Sequence, residues 1–172
     1  MKIQSTNAIK ERFEAIEERI SRACKRVGRS REQVTLVAVS KLQPTAKIYQ
    51  AYQAGQMVFG ENYLQETLQK KAELQHAKDL KFPLIGPLQS NKVKKAVGLF
   101  DVIQTVHSIE LADFISRTAA TRGLVQEVML QVNISQEQSK AGLLVSQVAE
   151  AYRAIRGLSA LKVSSLMCIG SW

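Results

Sequence analysis

Two cysteines and two histidines are all this chain offers as thiolate or imidazole ligands. Cys24 and Cys168 stand far apart without ligand-like spacing, which excludes a zinc site, and no other metal site suggests itself. A reducing compartment also argues against a disulfide between them. No apolar run approaches the roughly 20 residues of a membrane span. The amino terminus, M-K-I-Q-S-T-N, leads into a charged helix and lacks the apolar stretch of a signal peptide, so a cytoplasmic protein is expected. Without secretion, the glycosylation match at Asn133-Ile134-Ser135 is empty. There is no G-x-S-x-G elbow, and Gly86 to Lys92 lacks the spacing and second glycine of a nucleotide-binding P-loop. Only three prolines occur, with no linker, low-complexity tract or repeat, so residues 1–172 are expected to form one domain.

What is present is an ordinary globular composition, 45% hydrophobic and 23% charged, in a chain long enough to bury a core. The net charge of +9 raises the question of nucleic acid. Lys25, Arg26, Arg29 and Arg31 cluster around the end of the first helix, where the helix dipole favours cations anyway. Aromatic residues are not interleaved with them and no nucleic-acid motif appears, so no specific nucleic-acid partner is expected.

Residues 7–27 carry Phe13, Ile16, Ile20 and Val27 at helical spacing, with Gly28 placed to stop the helix. The run V-T-L-V-A-V-S-K (34–41) then reads as a strand buried on both faces, delivering Ser40 and Lys41 at its end. Helix and strand alternate from there. Helices are predicted from Thr45, after Tyr63 with Leu64, Leu68, Ala72 and Leu74 as candidates for its inward side, after Ser90, through Leu111 to Ala119, and through Val145 to Ile155. Strands are predicted at 57–59, 82–85, 101–106, 127–132 and 162–169. This is the spacing of βαβ units around a parallel sheet. Periodicity leaves two architectures open, an open doubly wound sheet and part of an eight-stranded barrel.

In a parallel sheet the segments after the strands share one end, where the sites of α/β proteins gather. They are Ser40-Lys41, Gly60-Glu61-Asn62, Gly86 to Lys92, His107-Ser108 and Asn133 to Ser135. Such amides, hydroxyls and one amine suit a polar ligand. Lys41 can form an imine with a carbonyl compound if burial keeps part of it unprotonated. Each position also has a plainer reading: Ser and Asn cap helices, a lysine ends a strand, and Glu61 sits on an exposed loop. His107 is the only histidine at a strand end, and His76 falls on a helix surface.

The blocks V-A-V-S-K (37–41), F-G-E-N-Y (59–63), I-G-P-L-Q-S-N-K (85–92), V-H-S (106–108), Q-V-N-I-S (131–135) and S-K-A-G (139–142), in this order, resemble the pyridoxal phosphate homeostasis proteins. The resemblance covers nearly the whole chain. It implies a (β/α)₈, TIM-like barrel similar to the N-terminal domain of alanine racemase, preceded by a helix and incomplete, with about six of eight parallel strands. It implies pyridoxal 5′-phosphate held as an imine on Lys41, Asn62 close to the cofactor, and Met167 near the lower part of the site. It further implies a carrier for cofactor homeostasis rather than an enzyme, acting as a monomer, with pyridoxal phosphate-dependent apoenzymes as partners. The chain departs from the family pattern at Pro83, where His is usual, at Leu111, where Arg is common, and at Ser165, where Gly is usual. It stops at Trp172, before the last two strands and the phosphate-binding segment, so a truncated family member is expected. The alternatives are a racemase-like enzyme using the same imine, and a non-functional truncated product with weak polyanion binding.

Overall fold

The computed structural model describes residues 6–137 and 140–170. Ser139, in the S-K-A-G block, lies outside the described residues. Contacts divide the chain into two compact units, residues 1–60 with 69–81, and residues 61–68 with 82–172.

The first unit opens with α1, Thr6–Arg26, and Gly28 follows it with φ +68°, the left-handed conformation that only glycine adopts without strain. Part of the basic cluster proves structural. Arg31 forms a two-point ion pair with Glu17 of α1, at 2.8 and 2.6 Å. The Glu17 carboxylate holds the Arg31 pKa above its ordinary value. Strand β1 is only Ala38–Val39, and it pairs in parallel with β2, Phe59–Gly60, Ala38 facing Phe59. The expected burial of this run on both faces does not hold, since Val39 is 56% exposed. Burial on both faces needs a packed layer over each face of the sheet, and the face that carries Val39 is left open. Helix α2, Thr45–Gln53, packs on α1, with Ile48 buried; Cys24, Phe59, Leu74 and Ala77 are buried in the same unit. Buried Gln56 ties two strand segments together by donating to the carbonyls of Leu36 and Val58, at 2.9 and 2.6 Å.

Helix α3, Leu64–Glu73, begins in the second unit and ends in the first. Its buried stripe is Thr67, Lys70 and Leu74, whereas Leu68 is 44% exposed and Ala72 lies at the surface. Polar side chains take the inward positions because each finds a carbonyl: Thr67 donates to Tyr63 at 2.9 Å and Lys70 to Ser40 at 2.6 Å.

In the second unit, the expected strand at 82–85 is reduced to single parallel bridges, Glu61 with Leu84 and Leu84 with Ile103. Pro83 explains this, because it has no N–H to extend a ladder; its carbonyl still accepts from Glu61 at 3.0 Å. The predicted helix after Ser90 is a 3₁₀ turn, Ser90–Lys92, followed by α4, Val93–Ala96. Strands β3 (Val102–Val106), β4 (Gln126–Val132) and β5 (Leu161–Cys168) form a parallel sheet in that order. Ile103 stands beside Val128, and Val132 beside Cys168. Helix α5, Ile109–Ala120, links β3 to β4, and Ser108 caps it by accepting from the Leu111 N–H at 3.1 Å. Helix α6, Val148–Ile155, precedes β5. Leu84, Val93, Ile103, Val106, Ile115, Val128, Leu130 and Ile155 are fully buried and make one apolar core. Burying each such side chain stabilises the fold by about 1.5–3 kcal/mol. Among the described residues, no helix is long and apolar enough to cross a membrane.

Candidate functional site

Lys41 sits in a tight turn where β1 ends. The Ser40 N–H is held by the Gly60 carbonyl at 3.0 Å, and the Ser40 carbonyl accepts from the Gln43 N–H at 3.0 Å. Lys41 and Leu42 are therefore the two central residues of a β-turn, with Leu42 at φ +59°. That conformation costs a leucine about 1–2 kcal/mol and persists only where its surroundings enforce it. Lys70 braces the turn from its first residue. Its ammonium, on a residue only 3% exposed, donates to the Ser40 carbonyl at 2.6 Å. The backbone is thus fixed immediately before Lys41, while the Lys41 side chain is exposed rather than buried as imine chemistry suggested. Lys70 escaped the sequence reading because a lysine inside a helix ordinarily signals a solvated face.

Glu61 overturns a second expectation, being completely buried rather than on an exposed loop. Its carbonyl accepts from the N–H groups of Ile85 and Gly86, at 2.9 and 3.4 Å. Next to it, Asn62 carries a buried side-chain oxygen, Oδ1, with no hydrogen-bond partner among the described residues. Gly86 presses directly on Asn62: a Cβ at position 86 would lie 2.8 Å from Asn62 Cα and 2.9 Å from both its Cβ and Cγ. Thr105 Oγ1 donates to the Gly86 carbonyl at 2.8 Å, and His107 Nδ1 lies 3.2 Å from the Thr105 carbonyl. The loops after β2 and β3 and the 85–86 segment thus interlock within the second unit.

The loop after β4 is equally ordered by its own polar groups. Asn133 Nδ2 donates to the carbonyls of Glu137 and Lys140, at 2.9 and 3.1 Å. Gly142, at φ +139°, passes so close that a Cβ there would lie 2.6 Å from the Asn133 nitrogen. Lys140 pairs with Glu137 at 2.7 Å, and this contact, with Ser135, holds the Glu137 carboxyl below the usual carboxylate range. A cavity of about 330 Å³ lies at the carboxyl ends of β3, β4 and β5, bounded by Thr105, Gln131, Asn133, Lys140 and Ile169. Met167 stands beside Gln131 in the β4–β5 ladder, half-buried, and does not line this cavity. Of the three residues singled out by resemblance, Lys41 belongs to the first unit, and Asn62 and Met167 to the second. His76 contacts the Tyr49 ring edge-on at 4.9 Å, a packing role. No cluster of metal-binding side chains occurs among the described residues.

Taken one by one, two of these residues carry groups of the kind that the ring and aldehyde of pyridoxal phosphate call for. Lys41 offers a primary amine on a fixed backbone, and the buried Asn62 Oδ1 is an acceptor awaiting a donor.

Comparison with known proteins agrees with the blocks and the topology. The family described as alanine racemase, N-terminal domain, matches residues 12–171. The pyridoxal phosphate homeostasis protein of Haemophilus influenzae is 37% identical over 162 residues, 94% of this chain and 68% of that protein. A crystal structure of an unknown protein from Bifidobacterium adolescentis superposes with a TM-score of 0.90 at 33% identity, covering 99% of this chain and 73% of the other. PipY of Synechococcus elongatus, solved with pyridoxal phosphate bound, matches with a TM-score of 0.76 at 34% identity, over 94% of this chain and 70% of its own. The fold class is therefore the one the resemblance implied, α/β with the parallel strand–helix repeat of a TIM-like barrel, of which this chain carries part. Local sequence blocks, matched family and superposed structures agree: the chain belongs to the pyridoxal phosphate homeostasis proteins, within the alanine racemase N-terminal-domain family.

Proposed function

We propose that this protein binds pyridoxal 5′-phosphate through Lys41 and serves intracellular homeostasis of that cofactor. In this reading residues 1–172 act as one cofactor-binding domain, monomeric and cytoplasmic. The observation that carries it is the turn at the end of β1, which presents Lys41 directly after Ser40, whose carbonyl accepts from both Gln43 and Lys70. When bound, the cofactor supplies an aldehyde that a primary amine captures as an imine. Asn62 would accept a hydrogen bond from the ligand, and Met167 would supply an apolar contact. Pyridoxal phosphate-dependent apoenzymes are the natural recipients of the cofactor.

The chain's own residues favour holding over turnover. Moving an α-proton needs an acid or base in reach of the reacting carbon. Glu61 is sealed in the interior, and the half-buried His107 faces a backbone carbonyl. Borohydride reduction in the presence of pyridoxal phosphate, followed by peptide mass spectrometry, is expected to place the adduct on Lys41. An adduct equally abundant in Lys41→Ala would refute the assignment. Proton exchange at an amino acid's α-carbon in deuterated water, lost in Lys41→Ala, would instead establish the racemase-like alternative.

A further inference from the structure

The I-G-P-L-Q-S-N-K and E-N-Y blocks account for much of the family resemblance, yet most of their residues have no part in holding the cofactor in the reading above. In the second unit they meet around a pocket of about 550 Å³, within the range of small-molecule sites. One wall is apolar, built from Leu64 and Leu68 of α3 and from Pro87, with the Tyr63 ring at its edge. Both Tyr63 and Leu68 are substantially exposed there, at 51% and 44%. The charged part of the lining is cationic. Lys92 ends the 3₁₀ turn and Lys95 lies three residues on, in α4; the fully buried Val93 and Ala96 anchor the segment that carries them.

Charge in this pocket is uncompensated. No Asp or Glu lines it, and neither lysine makes an ion pair or side-chain hydrogen bond among the described residues. Elsewhere the chain does pair its lysines when a carboxylate is at hand, as in Lys140 with Glu137 and Lys162 with Glu127. A lining that combines apolar side chains with two unpaired ammonium groups suits a molecule that is apolar in one part and anionic in another. The net charge of +9 would further raise the local concentration of such a ligand.

We infer that the Tyr63–Leu68–Pro87 shelf with Lys92 and Lys95 is a binding site for a small aromatic organic anion, a phosphate or carboxylate ester or acid. The ring stacks on Tyr63 and Leu68, and the anionic group bridges the two lysines. The site shares only Asn62 with the residues assigned to the cofactor, and it does not depend on imine formation at Lys41.

Phenyl phosphate is the probe, because it has the ring and the anion but no aldehyde for Lys41 to capture. Titration followed by ¹⁵N-resolved NMR is expected to show saturable shifts at the Gln65 and Gln89 side-chain amides, which flank the pocket. Phenol and inorganic phosphate, each carrying half of the recognition, should bind at least about tenfold more weakly. The Lys92→Gln/Lys95→Gln protein should lose about tenfold or more in affinity for phenyl phosphate. Lys94→Gln, on the same helix but outside the pocket, should bind as the parent does, and so should Lys41→Ala. Absence of saturable binding in the low-millimolar range, or affinity unchanged by the double substitution, would overturn the inference. So would inorganic phosphate binding as tightly as phenyl phosphate. Loss of the Lys41 adduct with phenyl phosphate binding intact would count against the cofactor reading alone.

Discussion

Replacing Gly86 by alanine tests the interlocked loops most sharply, because this glycine is required by space and not by backbone angle. Gly86 does not adopt a left-handed φ, so alanine is conformationally acceptable there. The added methyl would meet Asn62 at 2.8 Å from Cα and 2.9 Å from Cβ and Cγ, distances that real Cβ atoms do not tolerate. The Asn62 backbone cannot give way cheaply, since Glu61 before it is fully buried and bonded to Pro83 and Ile85. Gly86 cannot retreat freely either, because its carbonyl is held by Thr105 at 2.8 Å. Overpacking of this kind costs about 1–3 kcal/mol, and losing the Thr105 bond adds about 0.5–1.5, so a destabilisation of about 1.5–4.5 kcal/mol is expected. Urea unfolding followed by far-ultraviolet circular dichroism measures it. Gly123→Ala is the matching control: at φ +63° with nothing within 4 Å, it should lose only the backbone penalty of about 1–2 kcal/mol. Thr105→Val frees the Gly86 carbonyl, so the double variant should cost less than the sum of the singles. A Gly86→Ala protein within about 0.5 kcal/mol of the parent would refute the packing argument. The same variant should weaken pyridoxal phosphate binding, because the displaced residue is Asn62.

Lys70→Met keeps the buried stem and removes the donor to Ser40, so a loss of about 1.5–3 kcal/mol in chemical denaturation is expected, together with slower formation of the Lys41 adduct. Unchanged stability and adduct rate would mean that Lys70 does not hold the turn. The Glu137 carboxyl is held below its ordinary range by Lys140 and Ser135, so its folded-state pKa is depressed. Its stabilising contribution is therefore present above the unfolded glutamate value of about 4.3 and fades as pH falls through the lower folded value. Amide exchange in the 133–142 loop should accelerate over that acidic window in the parent and show no such step in Glu137→Gln.

Local signals were legible directly in the sequence. The helix of α1 and its stop at Gly28, the Ser108 cap of α5, and the alternation of helix with parallel strand each depend on residues a few positions apart, although Ile16 and Val27 of the expected α1 stripe are exposed, at 41% and 64%. The strand-end blocks also placed Lys41 and Asn62 at the ends of strands, since a βαβ unit has little freedom over where its turns fall. Periodicity misjudged α3 because it ranks side chains by polarity alone. Of the apolar candidates, Leu74 is buried and Leu64 packs on the core, but Leu68 and Ala72 are exposed while Thr67 and Lys70 are inside. What decides is the location of unsatisfied carbonyls, and the one that draws Lys70 inward belongs to Ser40, thirty residues away along the chain. Pro83 interrupting a strand was readable in principle, from its missing N–H, whereas the burial of Glu61 and the collision-tight contact of Gly86 with Asn62 were not. Those are properties of chain segments brought together by the fold, and one-dimensional patterns carry no record of which segments meet.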